Sequence, residues 1–194
     1  MATLTSLCVY CGSRQPRNQS LRRAAQRLGR LVGERGIRLV YGGGHVGLMG
    51  VAADAALAAG GEVFGIIPGH LAASEVGHAN LTKLEVVDSM HERKHRMFES
   101  ADAFVILPGG LGTLDEAFEM ITWRQLSLHD KPIVLVNQDG YWRPLLNLID
   151  AIVAEDFASV AVRRLFTVVD DVDEVIPAIE KAMPPTVADR PARL

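Results

Sequence analysis

The sequence predicts an α/β fold: a doubly wound, mostly parallel sheet of about seven strands with helices on both faces. Two observations carry this. Short apolar, β-branched runs recur along the chain, each followed by a helical pattern, and these runs are nearly continuous in apolar residues instead of alternating with polar ones. A third observation points to where a ligand goes. Four of the runs end in glycine, and open sheets of this class bind ligands outside the carboxyl ends of their strands.

The strand-like runs are residues 4–10, 37–41, 62–67, 81–87, 103–107, 133–136 and 165–169. Gly12-Ser13 follows the first, Gly42-Gly43-Gly44 the second, Pro68-Gly69 the third and Pro108-Gly109-Gly110 the fifth. Residues 1–183 read as one domain, and the proline-containing stretch 184–194 as a flexible tail. The net charge of −3, with acids and bases interspersed, supplies no basic field for a nucleic-acid backbone. The first residues, Met1-Ala2-Thr3-Leu4-Thr5, lack a signal peptide's pattern, and no apolar stretch reaches the ~20 residues of a membrane span. These features predict a soluble, cytoplasmic protein with neither nucleic acid nor membrane as partner.

Cys8 and Cys11 are the two cysteines, spaced C-x-x-C. Cys8 lies inside the first strand-like run, where residues three apart point to opposite faces, and no second pair completes a zinc site. They read as two reduced thiols near the core.

Gly42, Gly44 and Gly47 form a G-x-G-x-x-G between a strand and an Ala-rich helix, the setting of a dinucleotide fingerprint. That fingerprint also needs an acid at the end of the next strand. This chain has Ile67-Pro68-Gly69-His70 there, and Glu62 stands at the wrong end. A smaller phosphorylated ligand fits better, with Gly12, Ser13, Gly43, Gly44 and Met90 as candidates to line its site.

Residues 108–116, Pro-Gly-Gly-Leu-Gly-Thr-Leu-Asp-Glu, join a strand to a helix predicted over 114–126. Unpaired amides and the positive end of the helix dipole make such a junction an anion site. No Lys-Ser/Thr pair follows the glycines, so this is not a Walker loop. Glu116 has two readings: a capping box with Thr113, or a carboxylate beside the phosphate loop whose ionised form the dipole favours.

On the helix predicted over 88–101, Met90, Met97 and Ala101 set the apolar direction, and Arg93 and Lys94 flank it. Arg96 has acids at helical spacing in Glu92 and Glu99; Arg93 and Lys94 have none. Two inward-leaning cations without a local partner need an anion from elsewhere, and a substrate phosphate would serve. The same helix contains His91-Glu92-Arg93-Lys94-His95, which matches the zinc motif H-E-x-x-H. Its histidines are rotated off the apolar direction, with cations beside the would-be metal and no evident third ligand, so no metal is expected.

Met90-His91-Glu92-Arg93-Lys94, followed by the 108–116 loop, resembles the paired signature of the Lonely Guy family, the cytokinin riboside 5′-monophosphate phosphoribohydrolases; the likeness runs from the first strand to the helix after Tyr141-Trp142. The resemblance implies a Rossmann-like domain, a homodimer, and hydrolysis of the N-glycosidic bond of an adenosine-type 5′-monophosphate to free base and ribose 5-phosphate. It places the catalytic pair on Arg93 and Glu116. Substrate contacts fall on Glu75, Arg93, Lys94, Gly110, Leu111, Gly112, Thr113, Leu114, Asp115, Glu116 and Thr122. Leu111 stands where the family often has an aromatic residue, and Asp115 replaces a second glutamate. Some members carry a lysine-decarboxylase label, but no lysine here is singled out for pyridoxal phosphate and no cofactor is expected.

The expected mechanism anchors the phosphate at the 110–113 amides, with Arg93 or Lys94 assisting. A fixed Glu116 carboxylate then stabilises positive charge at the ribose C1′ and orients water. The non-catalytic alternative is a carrier or sensor of a phosphorylated ligand. Leu126, Leu128, Tyr141 and Trp142 are candidates for burial between subunits.

Overall fold

The computed structural model of the chain describes residues 3–72, 77–78 and 80–183. Its strands are β1 (Ser6–Tyr10), β2 (Arg38–Tyr41), β3 (Val63–Pro68), β4 (Lys83–Val87), β5 (Ala103–Ile106), β6 (Ile133–Val136) and β7 (Thr167–Val169). They form one sheet in the order β4-β3-β2-β1-β5-β6-β7, and every neighbouring pair is parallel. Each predicted run is a strand, with ends that agree to within two residues. The edge strand β4 buries Val87 and leaves Lys83, Leu84 and Val86 exposed.

The helices are α1 (Gln19–Glu34), α2 (Gly47–Ala58), the single turn α3 (Gly69–Ala72), α4 (Met90–Glu99), α5 (Leu111–Gln125), α6 (Arg143–Ala154) and α7 (Val175–Ala182). Asn18 starts α1 by accepting the Ser20 amide at 2.9 Å. Its apolar positions Leu21, Ala24, Ala25, Leu28, Leu31 and Val32 recur at helical spacing, so one stripe is buried. That stripe packs with α2 and α7 on one face of the sheet, while α4, α5 and α6 cover the other. Strand parity decides which residue serves which face. Leu7 and Val9 of β1 enter the first core, and Cys8 and Tyr10 enter the second. Cys11 returns to the first core, so the sheet separates two free, buried thiols, and burial pushes both thiols up.

Strand order reverses direction at β1. The chain winds outward through β2, β3 and β4, then returns to place β5 on the other side of β1. The crevice beyond the carboxyl ends of β1 and β5 is therefore where the connecting loops part company and a ligand can enter.

Candidate active site

A cavity of about 650 Å³ occupies that crevice. Its walls include Gly12, Ser13 and Arg14 after β1, Leu48 and Met49 on α2, Met90 and Arg93 on α4, the loop from Pro108 to Thr113, Glu116 and Tyr141. The loops are locked to one another by backbone contacts. The Gly12 amide donates to the Pro108 carbonyl at 3.1 Å, and the Leu48 amide donates to the Gly12 carbonyl at 2.9 Å. At Gly47, whose φ is +72°, a Cβ would stand 2.3 Å from the Ser13 carbonyl carbon, so a side chain there would push two walls apart.

Helix α5 begins three residues earlier than the sequence predicted. Gly110 is its N-cap, in an extended conformation and without a side-chain cap, and the first helical bond runs from the Leu114 amide to the Gly110 carbonyl at 3.0 Å. The amides of Leu111, Gly112 and Thr113 thus precede the helical ladder, next to the positive end of the dipole. Glycine is tolerated here because the first turn offers few intrahelical bonds to weaken. The earlier start removes the capping-box reading of Glu116, since Thr113 is itself within the first turn and buried. A related cap, reaching one residue further back than a capping box, forms at the start of α4. Ser89 Oγ accepts the Glu92 amide at 3.1 Å, and Glu92 Oε2 accepts the Asp88 amide at 3.0 Å.

Arg93 crosses from α4 under the sheet's carboxyl edge. Its Nε donates to the Ile66 carbonyl at 3.1 Å and its Nη1 to Glu116 Oε1 at 3.1 Å. Both side chains are 9% exposed. The space for the guanidinium exists because residue 42 is glycine: a Cβ there would lie 1.8 Å from Arg93 Nη2. Burial, the largest influence, pushes the Glu116 carboxyl up to about 7, against the opposing pull of the Arg93 charge. The shift is opposite to the one the helix dipole alone would favour, and burial is its largest cause.

The two cations that lack partners on their own helix find them on α5. Arg93 meets Glu116, and Lys94 Nζ lies 3.2 Å from Asp115 Oδ2 and 3.1 Å from Glu119 Oε1. Burial works against the Lys94 charge, but Glu119 and Asp115 outweigh it and raise its pKa. Part of the anion expected from a substrate is supplied by the protein.

Of the predicted site residues, Gly12, Ser13, Met90, Arg93, Gly110, Leu111, Gly112, Thr113 and Glu116 line the cavity. Lys94, Leu114, Asp115 and Thr122 do not: Leu114 packs against the core, and Thr122 is exposed on α5. Gly43 packs over Ile66 and Ile67, and Gly44 bridges to Gly77, so the second glycine run braces the site from outside. Glu75 and the tail 184–194 lie outside the described residues. Sequence reasoning missed Arg14, Leu48, Met49, Leu71 and Tyr141 as lining residues. The signal for Tyr141 was available, because it follows Asn137-Gln138-Asp139-Gly140, another turn at a strand end. Trp142, expected between subunits, is instead 4% exposed in the core beside Leu145 and Ile149.

His91 and His95 of the H-E-x-x-H are exposed, and His95 faces Glu99 at 3.7 Å. Among the described residues, the potential metal-ligating side chains that gather are His45, Asp54 and His78, within 4.8 Å. His78 Nδ1 accepts the Asn80 amide at 3.3 Å, which places the ring proton on Nε2, 2.8 Å from Asp54 Oδ1. These contacts tie the chain at Gly77-His78 to α2.

Comparison with known proteins gives the family and the fold of the chain. A family profile described as "Possible lysine decarboxylase" matches residues 49–179. The cytokinin riboside 5′-monophosphate phosphoribohydrolase of Rhodococcoides fascians is 46% identical over 178 residues, covering 91% of this chain and 90% of that protein. The cytokinin riboside 5′-monophosphate phosphoribohydrolase LOG of Oryza sativa subsp. japonica is 44% identical over 178 residues, covering 92% and 74%. Among solved structures, the molybdenum cofactor binding protein from Rippkaea orientalis has a TM-score of 0.70 at 20% identity, covering 95% of this chain and 100% of that one. The molybdenum cofactor carrier protein from Chlamydomonas reinhardtii has a TM-score of 0.70 at 21% identity, covering 93% and 98%. The structural likeness is one of fold, whereas the sequence match spans both halves of the site, and on that ground the chain belongs to the Lonely Guy family of cytokinin riboside 5′-monophosphate phosphoribohydrolases.

Proposed function

We propose that this protein hydrolyses the N-glycosidic bond of an adenosine-type nucleoside 5′-monophosphate, N6-modified or plain, and releases the free base and ribose 5-phosphate. The observation that carries the reading is the buried Arg93–Glu116 pair, set one helical turn from the free amides of Leu111, Gly112 and Thr113. A phosphate at those amides places the ribose C1′ near Glu116. As the C1′–N bond breaks, its electron pair leaves with the base and positive charge develops on the sugar, which the carboxylate stabilises. Water attacks C1′ and gives one proton to Glu116, the departing base takes one from solvent, and Glu116 returns its own to solvent, so the reaction is proton-neutral overall. Arg93 holds Glu116 in place; as a guanidinium it stays charged and is no acid for the base. No cofactor or metal enters this scheme.

The experiment is incubation with AMP and with an N6-prenylated analogue, followed by separation of nucleotide from base. Free base and ribose 5-phosphate in equal amounts are expected; tight binding of both nucleotides with neither product would make the protein a carrier. The working form in this proposal is a cytoplasmic homodimer. Leu126 and Leu128, 63% and 65% exposed at the end of α5, would be covered in it, and light scattering should report twice the chain mass.

A further inference from the structure

We infer that Tyr141 is a positioning residue for the phosphate loop, holding the Gly109–Gly110 peptide in the orientation from which the free amides of α5 follow. The inference rests on the phosphate site proposed above. Its hydroxyl donates to the Gly109 carbonyl at 2.7 Å. Gly109 packs closely on Thr113 and Gly12, where a Cβ would stand 2.1 Å from Thr113 Oγ1, but Gly110 has open space where a side chain would be, so nothing on that side resists rotation of the peptide. A rotated peptide would exchange carbonyl for amide at the mouth of an anion site. A single well-directed donor on that carbonyl therefore does what a Cβ cannot.

The donor is itself held from two sides. The Tyr141 ring packs edge-on against Trp142 at 4.9 Å, and the Trp142 amide donates to Asn137 Oδ1 at 2.9 Å, so its direction is set from the core. The turn just before it is anchored to the start of α1. Asp139 Oδ2 accepts Asn18 Nδ2 at 2.8 Å and also the Ser20 hydroxyl. The connection after β6 thus ties the start of α1, which follows one wall of the cavity, to Gly109 in another. It does so without contributing a group to the Arg93–Glu116 pair.

Tyr141→Phe removes the hydroxyl and keeps the ring. The expected result, by calorimetry, is ribose 5-phosphate binding about fivefold weaker, the worth of roughly one neutral hydrogen bond. Adenosine, which lacks the phosphate, should bind unchanged, and amide exchange over residues 110–113 should quicken. A loss for ribose 5-phosphate below threefold overturns the inference, as does an equal loss for adenosine or unchanged exchange at those amides. The reading beneath it fails separately. If the parent protein binds ribose 5-phosphate but releases no base from a 5′-monophosphate, the hydrolase proposal falls and the role of Tyr141 stands; if the parent binds no ribose 5-phosphate, both fall.

Discussion

Arg93 and Arg96 stand three residues apart on α4, and each meets glutamate, yet the carboxyl groups they meet are shifted in opposite directions. Arg96, 38% exposed, reaches Glu85 at 2.8 Å and Glu99 at 2.9 Å. Its hydrogen bonds hold the Glu85 carboxyl below the ordinary range. Arg93 reaches Glu116 at 3.1 Å with both side chains 9% exposed, and the Glu116 carboxyl is pushed up to about 7. The partners are chemically alike; the water around them is not. Removing a carboxylate from solvent costs more than one buried guanidinium returns, so the pair that is better enclosed is the one whose acid is less firmly ionised. A group poised near neutral pH is what proton transfer requires.

The sharpest way to break this contrast is Glu116→Gln, which keeps size and removes charge. Turnover should fall by roughly 10²-fold or more while nucleotide still binds, because each tenfold is ~1.4 kcal/mol of barrier. A rate within a few-fold of the parent would end the catalytic assignment. Arg93→Ala comes next. It leaves Glu116 buried without its cation, so the carboxyl should rise above about 7 and the acid limb of the pH–rate profile should move to higher pH. The variant should lose about 3 kcal/mol of stability by denaturant titration.

The parent's own pH dependence sharpens the comparison further. If the carboxylate is the working form, kcat/KM should rise through about pH 7 and level off above it. Stability should run the other way. The folded state keeps the Glu116 proton up to about 7, whereas the unfolded chain loses it near 4.5, so this contribution is full below 4.5 and lost as pH rises through 7. Glu116→Gln should flatten that slope between pH 5 and 8 in thermal melts. The smallest effect belongs to the solvent-facing partner: Arg96→Ala should cost at most about 1 kcal/mol and leave kcat/KM unchanged.

Much of this was legible in the chain. Apolar runs marked all seven strands because both faces of the inner sheet are covered. Arg93 and Lys94 were readable as inward cations without local partners. That Asp115, Glu116 and Glu119 would meet them was not, because the pairing spans two helices whose approach no sequence spacing fixes. The start of α5 was misread because two glycines argue against helix in general, though not in a first turn whose amides are unbonded anyway. The raised Glu116 carboxyl was not legible for a similar reason: the dipole can be read from position along a helix, while desolvation depends on what the rest of the chain places overhead.

Gly42 shows how far the chemistry reaches beyond the residues that perform it. This position sits just past β2, on a loop that contributes nothing to the cavity wall, and its part is to leave a volume empty. A single methyl group there would collide with the guanidinium 1.8 Å away and swing it off both Ile66 and Glu116. Positions 42 and 93 are therefore coupled through space, and an apparently mild Gly42→Ala change should act as an active-site lesion delivered from a neighbouring strand.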